Sequence, residues 1–332
     1  MQVHRDIDRL PAFRNAVVTI GTFDGVHMGH RQVIEGLKAE AKAINGETVI
    51  ITFHPHPRKI VSSAILGIRL INTLEEKTEL LEQLGIDHLV VVPFTEAFAN
   101  QLAVDYIRDF LVNKFKPHTI IIGYDHRFGR DRQGDYRLLE KFSEKYKYVL
   151  KEIPKHVLDN ISISSTNIRE ALLHNDIATA DKLLGYEYFF EGEVVDGDKL
   201  GRKLGYPTAN LKVTDEEKLI PANGIYAVYA EVMARKPEAT KESSSGTSTA
   251  PHSPLTSHHS RLKGMMSIGF RPTVDGKKRV IEVNIFDFDK DIYGQKLRVY
   301  IKKYLREEVK FNSLEDLVKQ IDKDKIESLK VL

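Results

Sequence analysis

Cysteine is absent from the 332-residue sequence. That excludes a disulfide framework, thiolate metal sites and catalysis by a cysteine nucleophile. An excess of one charge is missing too: 49 Lys and Arg face 47 Asp and Glu, for a formal net charge of +2. Such a balance argues against a dedicated nucleic-acid or membrane surface and leaves room for local basic pockets that take small anions. No apolar run approaches the roughly 18 residues of a membrane span. The opening residues, Met1-Gln2-Val3-His4-Arg5-Asp6, lack the apolar stretch of a signal peptide. The expectation is a soluble cytoplasmic protein. No internal repeat is visible. What the chain does have is apolar content: a 42% hydrophobic share over this length is enough for two domains, each with its own core.

Two rhythms divide the chain. Up to about residue 185, short β-branched runs (Ala16 to Ile20, Thr48 to Phe53, His88 to Phe94, Thr119 to Gly123) alternate with helical patterns such as Glu75 to Leu84 and Phe98 to Phe115. Alternation of this kind predicts βαβ units around a parallel sheet, which binds ligands beyond the carboxyl ends of its strands. From about Tyr188 strands dominate: Phe189 to Val195, Gly224 to Val232, Met265 to Phe270, Arg279 to Phe288 and Lys296 to Tyr304. Turn residues between them predict a small antiparallel barrel or sandwich. Ser313 with Asp316 opens a closing helix whose Leu314, Leu317, Val318 and Ile321 share a face expected to pack on the barrel. The domains are therefore expected at 1–185 and 186–332, with a mobile Ser/Thr-rich insertion at 236–262. His252, His258 and His259 in that insertion are compatible with a metal, but solvated loop histidines are the simpler reading.

The densest chemistry follows the first strand, at Phe23-Asp24-Gly25-Val26-His27-Met28-Gly29-His30. Two imidazoles three positions apart on a glycine-bearing turn can face one anion, and the helix behind them aims its free N–H groups at the same place. An isolated H-x-G-H string also fits a surface loop; the strand before it and the helix after it favour a triphosphate site. A second cluster, Ile163-Ser164-Ser165-Thr166-Asn167-Ile168-Arg169, sets three hydroxyls at a helix start, where they either cap backbone donors or bind phosphate oxygens. In the second half, Gly201-Arg202-Lys203-Leu204-Gly205-Tyr206-Pro207-Thr208-Ala209-Asn210 reads as an anion-binding loop or a decorated hairpin. In the strand Val280 to Phe288, period two puts Ile281, Val283 and Ile285 on one face and Glu282, Asn284 and Phe286 on the other.

Taken together, Gly21 to His30 and Ile163 to Arg169 resemble the H-x-G-H and I-S-S-T-x-I-R signatures of the nucleotidyltransferase superfamily. Phe53-His54-Pro55-His56-Pro57 and Gly123-Tyr124-Asp125-His126-Arg127-Phe128-Gly129 narrow the resemblance to the bacterial bifunctional riboflavin kinase and FMN adenylyltransferase family. Gly201 to Asn210 resembles the riboflavin kinase segment G-x-x-x-G-x-P-T-A-N. The resemblance implies an α/β Rossmann-like nucleotidyltransferase domain followed by a riboflavin kinase barrel, phosphorylation of riboflavin to FMN, and adenylyl transfer from ATP to FMN giving FAD. It also implies ATP with Mg²⁺, small-molecule substrates, and neither nucleic acid nor membrane as partner.

By the same resemblance, His27, His30 and Arg169 act on the transferred phosphate. Gly21, Phe23, Asp24, Gly25, Gly29, His56, Gly123, Asp125, Ser164, Ser165 and Thr166 line the nucleotide and flavin sites. Individual partners for His56 and Asp125 stay open, and a packing or turn role suits His56 between two prolines. In the kinase half Glu282 is the expected base and Thr208 and Asn210 the Mg²⁺ ligands, with Gly201, Lys203, Gly205, Pro207 and Asn284 binding substrate. A single-activity enzyme and a catalytically silent flavin or nucleotide sensor are the competing readings, and the oligomeric state is not legible.

Overall fold

The computed structural model describes residues 1–61, 69–123, 126–153, 163–197, 200–233, 261–273 and 276–332. The chain forms two compact units, Met1–Asn167 and Ile168–Leu332. The unit boundary falls inside the helix Ser165–Leu173, so the helices up to Leu184 group with the second unit. The Ser/Thr-rich stretch lies outside the described residues as far as 260, together with His252, His258 and His259; Leu262 is already in a strand.

The first unit is built on a six-stranded sheet in the order β1-β4-β3-β2-β5-β6, with every pairing parallel. Its strands are β1 (Gln2–His4), β2 (Val17–Ile20), β3 (Thr48–His54), β4 (His88–Pro93), β5 (Thr119–Gly123) and β6 (Val149–Ile153). The central four match the expected apolar runs because both faces of a parallel sheet are covered, so nearly every position is apolar. Val18, Ile20, Val49, Ile51, Val90, Val92, Ile120 and Ile122 form one core with Tyr106, Ile107, Phe110, Leu111 and Phe115. The edge strands β1 and β6 are mostly exposed and carry too little apolar signal to be read from the sequence. The helix expected over Phe98 to Phe115 is broken: Glu96–Ala99 ends at Asn100, and a second run from Ala103 widens into a π-helix over Tyr106–Val112. The wider turn lets Tyr106, Ile107, Phe110 and Leu111 all bury against the sheet.

The second unit contains a closed six-stranded barrel in the order β10-β11-β8-β7-β12-β9. Its strands are β7 (Phe189–Val195), β8 (Ala209–Lys212), β9 (Gly224–Met233), β10 (Leu262–Thr273), β11 (Gly276–Ile285) and β12 (Lys296–Arg306). β12 pairs with both β7 and β9, and two register shifts near Lys303 and Arg306 bend it, as barrel closure requires. Ile281, Val283 and Ile285 are buried as expected, but Asn284 and Phe286 on the other face are buried as well. The Asn284 side chain bonds to the loop ahead of β8, and Lys325 of the closing helix lies 5.3 Å from the centre of the Phe286 ring.

The closing helix Leu314–Val331 is capped by Ser313, whose Oγ accepts the Asp316 N–H at 3.1 Å. Its apolar face only partly fits the expectation: Leu317, Val318 and Ile321 are half-buried, whereas Leu314 is 60% exposed. The buried positions are Asp324 and Ser328. Arg306 at the end of β12 explains the polar seat, since its guanidinium meets both Asp324 oxygens at 2.8 and 2.6 Å.

Asp181 in the helix Ile177–Leu184 accepts the Tyr188 N–H at 2.8 Å. Burial pushes its carboxyl up to about 7; the Tyr188 N–H opposes, Glu187 adds to the rise and Lys302 opposes. Between the ordinary value of 3.8 and about 7 the folded state holds the extra proton, so this group withdraws stability as pH rises through that window. Asp181→Asn keeps an acceptor oxygen, and denaturant melts of this variant from pH 4 to pH 8 should lose this part of the pH slope; an unchanged slope would remove Asp181 as its source.

Candidate active sites

In the first unit the chain leaves the sheet at the carboxyl end of β2 and turns at once. The Gly21 N–H donates to the Ile51 carbonyl at 3.0 Å. The Thr22 carbonyl accepts from Lys77 Nζ at 2.7 Å and from Thr52 Oγ1 at 3.2 Å. Phe23 (φ 47°), Gly25 (φ 90°) and Val26 (φ 37°) then take left-handed backbone conformations. For a residue other than glycine this costs about 1–3 kcal/mol, so other contacts must hold the turn. Asp24, 1% exposed, supplies them: Oδ1 accepts the Ile71 N–H at 2.9 Å and the Asn72 N–H at 3.3 Å, and its carbonyl accepts Ser165 Oγ at 2.9 Å.

The turn delivers His27 to the N-cap of the helix Met28–Ala43, where Nδ1 accepts the His30 N–H at 3.4 Å. Gly29 permits this, because a Cβ there would sit 3.3 Å from the His27 ring. The His27 and His30 rings stack 3.7 Å apart at 17°, with the Phe23 ring 4.8 Å from His30. Burial holds the His30 imidazole well below its ordinary pKa, helped by the charges of His27 and Lys77. At neutral pH His30 is therefore a neutral ring that offers one N–H, and its buried Nδ1 bonds to no group among the described residues.

The other expected residues divide by environment. Ser164 Oγ accepts the Asn167 N–H at 3.1 Å, a helix cap, and Ser165 ties that helix start to the histidine turn, while Thr166 is exposed. Arg169 follows on the same helix, within the second unit. His56 Nδ1 accepts the Arg58 N–H at 3.3 Å and its carbonyl accepts the Lys59 N–H at 2.9 Å, a turn role. Gly123 ends β5, and its carbonyl accepts the His126 N–H at 3.1 Å; Asp125 lies outside the described residues. Half-buried Phe53, Phe94 and Phe98 gather near the carboxyl ends of β3 and β4 with ring separations of 5.4 to 5.7 Å. A surface cavity of about 450 Å³ lined by Phe13, Lys116, His118, Tyr146 and Lys147 is not part of this site: His118 directly precedes β5, at the amino edge of the sheet.

In the barrel, strand register builds the second site. β11 pairs with β8 so that Glu282 lies opposite Asn210 and Val283 opposite Ala209. Thr208 Oγ1 reaches Glu282 Oε1 at 3.4 Å, and Arg271 on β10 pairs with Glu282 Oε2 at 2.5 Å. Asn284, 7% exposed, donates from Nδ2 to the Pro207 carbonyl at 2.7 Å, fixing the loop that carries Thr208. Gly201 is packed so closely that a Cβ would meet the Tyr206 carbonyl at 2.3 Å, and Gly205 takes φ 82°. Tyr206 bonds to Asp322 on the closing helix. The side chain of Lys203 lies outside the described residues.

Sequence reasoning missed Lys77 and Thr52, and it did not pair Arg271 with Glu282. Lys77 had a legible signal: it occupies the apolar stripe of the helix Leu74–Gln83 with Leu74, Leu80 and Leu81, a core position held by a cation. The Arg271 pairing had none, because its partner is eleven residues away across a strand pair.

A parallel α/β sheet with a histidine N-cap turn at its carboxyl edge, followed by a closed antiparallel barrel with a carboxylate beside hydroxyl and amide side chains, defines a two-domain phosphate-transferring protein. Residues 10–167 match the family model of FAD synthetase and residues 184–332 that of riboflavin kinase. A bifunctional riboflavin kinase/FMN adenylyltransferase of Escherichia coli K12 is 34% identical over 310 residues, covering 93% of this chain and 90% of the relative. One from Buchnera aphidicola (Schizaphis graminum) is 36% identical, covering 98% and 96%. A crystal structure from Streptococcus pneumoniae, named a macrolide-efflux protein, agrees with a TM-score of 0.80 at 28% identity, covering 98% of this chain and 97% of that one. No helix among the described residues here is long and apolar enough to cross a membrane. The chain belongs to the bifunctional riboflavin kinase/FMN adenylyltransferase family.

A Cβ on Gly197 would lie 2.1 Å from Asn210 Nδ2, so Gly197→Ala must swing that side chain aside. FMN formation should fall by about tenfold while the melting temperature moves by only about 2 °C, because the clash is with a side-chain end. Coupled fluorescence assays and thermal melts check both, and unchanged FMN formation would remove Asn210 from the site.

Proposed function

We propose that the barrel phosphorylates riboflavin to FMN with ATP and that the α/β unit then adenylylates FMN to FAD, both in the cytoplasm. In the first reaction the terminal ribityl hydroxyl attacks the γ-phosphorus of ATP, the bond to the β-bridging oxygen breaks, and ADP leaves. Glu282 takes the hydroxyl proton. The observation that carries this role is the Glu282 carboxylate within reach of the Thr208 hydroxyl and across the strand pair from Asn210. Arg271 and Thr208 each engage one carboxylate oxygen and so fix the plane of the base.

Thr208 and Asn210 offer neutral oxygen ligands, and the described residues contain no group of three or more acidic or histidine side chains able to hold a metal. That donor set fits Mg²⁺ arriving with the nucleotide and keeping phosphate and water ligands. When bound, the ion would offset charge on the transferring phosphates.

In the second reaction an FMN phosphate oxygen attacks the α-phosphorus of ATP, and pyrophosphate leaves. His27 and His30 would meet the triphosphate as N–H donors at the start of a helix, where the dipole also favours anions. Thr166 and Arg169 complete the reading, while Ser164 and Ser165 act chiefly by holding their helix start in place. Phe53, Phe94 and Phe98 offer an apolar wall suited to a planar flavin ring.

The two roles separate by mutation. Glu282→Gln should cut FMN formation at least about 100-fold and leave conversion of added FMN to FAD intact, and His30→Ala should make FMN accumulate from riboflavin. Chromatography of riboflavin, FMN and FAD after reactions with ATP and Mg²⁺ reads both. Equal loss of both activities in either variant would refute the two-site assignment.

A further inference from the structure

We propose that Lys77, which lies outside every motif named above, is a positioning residue of the adenylyl-transfer site: its buried ammonium, seated on the Thr22 carbonyl beneath the left-handed turn, holds His27 and His30 where they meet the triphosphate. This rests on assigning the His27–His30 turn to adenylyl transfer, and the experiment below separates the two.

The position is costly for a cation. Lys77 is 7% exposed on the buried stripe of its helix, where leucine or methionine would serve the core better. Burial pushes its pKa down to about 8, and the nearby Asp24 carboxylate only partly offsets this. The helix cannot relieve the cost by shifting, because Thr73 and Glu76 lock its first turn in a reciprocal capping box at 3.2 and 3.0 Å. A fold has no need of such a charge in that place.

What the charge does touch is the turn. Nζ donates to the Thr22 carbonyl at 2.7 Å, one residue before Phe23 enters the left-handed region. Among the described residues, the charges that act on Lys77 and His30 include those of Asp24 and His27 and of each other. Burial keeps His30 a neutral N–H donor, with the His27 and Lys77 charges adding to the effect, and the ammonium on the Thr22 carbonyl projects a positive potential toward the place where triphosphate charge arrives. Because the ammonium is buried and already bonded to the Thr22 carbonyl, its effect should fall on the transition state more than on ground-state ATP or FMN binding.

The test compares Lys77→Met and His30→Ala in the full chain, measuring kcat and KM for FMN adenylylation, the pH profile and the thermal melt. Lys77→Met should lower kcat by about tenfold or more with KM little changed. Its melting temperature should be equal or higher, since the folded protein binds the Lys77 proton less tightly than the unfolded chain does, so the ammonium costs stability at neutral pH. The wild type should lose kcat as pH rises through about 8 and the variant should lack that limb. Retained kcat, a kcat loss matched by a lower melting temperature, or an unchanged alkaline limb would each overturn the proposal. Wild-type FAD formation by His30→Ala would instead overturn the site assignment on which it stands. If Lys77→Met does not fold, Lys77→Gln, which keeps a donor toward Thr22 without the charge, is read by the same criteria.

Discussion

The turn between β2 and the helix Met28–Ala43 is the constraint around which the first unit is arranged. A parallel strand that ends in the middle of a sheet has to deliver its chain to a helix start within a few residues, and here Phe23, Gly25 and Val26 do so in left-handed conformations. Only one of the three is glycine. Phe23 and Val26 are retained because they also pack: Phe23 lies against Gly21 and His30, and Val26 is fully buried. Their strain, about 1–3 kcal/mol each, is opposed by polar contacts that converge from elsewhere in the unit. Lys77 and Thr52 hold the Thr22 carbonyl, Ile71 and Asn72 hold the Asp24 carboxylate, and Ser165 holds the Asp24 carbonyl. Breaking any one of these loosens the seat of both histidines.

The barrel positions its residues by a different device. Period-two alternation and a fixed register between β8 and β11 place Asn210 opposite Glu282 with no strained backbone in the pair. A one-residue slip would send Glu282 to the opposite face, and the buried Ile281, Val283 and Ile285 prevent that slip. Arg271 reaches the Glu282 carboxylate from the neighbouring strand β10 and Thr208 reaches it from the loop ahead of β8. The weaker element is the loop ahead of β8, which depends on Asn284 and on the Tyr206 contact with the closing helix.

Much of this was legible in the sequence, and what was not follows a physical pattern. The central strands β2 to β5 were readable because burial on both faces makes them continuous apolar runs, whereas β1 and β6 at the edges carry half that signal. The barrel strands were readable from length and turn spacing, yet the short β8 lay inside a motif read as an anion-binding loop or a decorated hairpin. Leu314 was expected on a buried helical face and is exposed, because the helix docks through Asp324 onto Arg306, an interaction that apolar periodicity does not report. Asp24 shows the same limit at the site. Its place in a ligand-binding motif suggests contact with substrate, while its carboxylate faces two backbone N–H groups inside the protein.

The difference between the two sites matches the nucleophiles they would serve. A ribityl hydroxyl is neutral and must lose a proton as it attacks, so the barrel needs an ionised acceptor held in a fixed plane, and Glu282 between Thr208 and Arg271 has that form. An FMN phosphate is already anionic and needs no base. A free carboxylate beside it would repel both reactants. The one carboxylate in the histidine turn, Asp24, is buried and turned toward Ile71 and Asn72, and what the turn itself presents is imidazoles and the N–H groups of a helix start. The same requirement favours a buried cation behind the turn over an exposed one in front of it. A lysine facing substrate would bind ATP and FMN tightly in the ground state, whereas one held behind rigid backbone can stabilise charge as it redistributes without adding equally to substrate affinity.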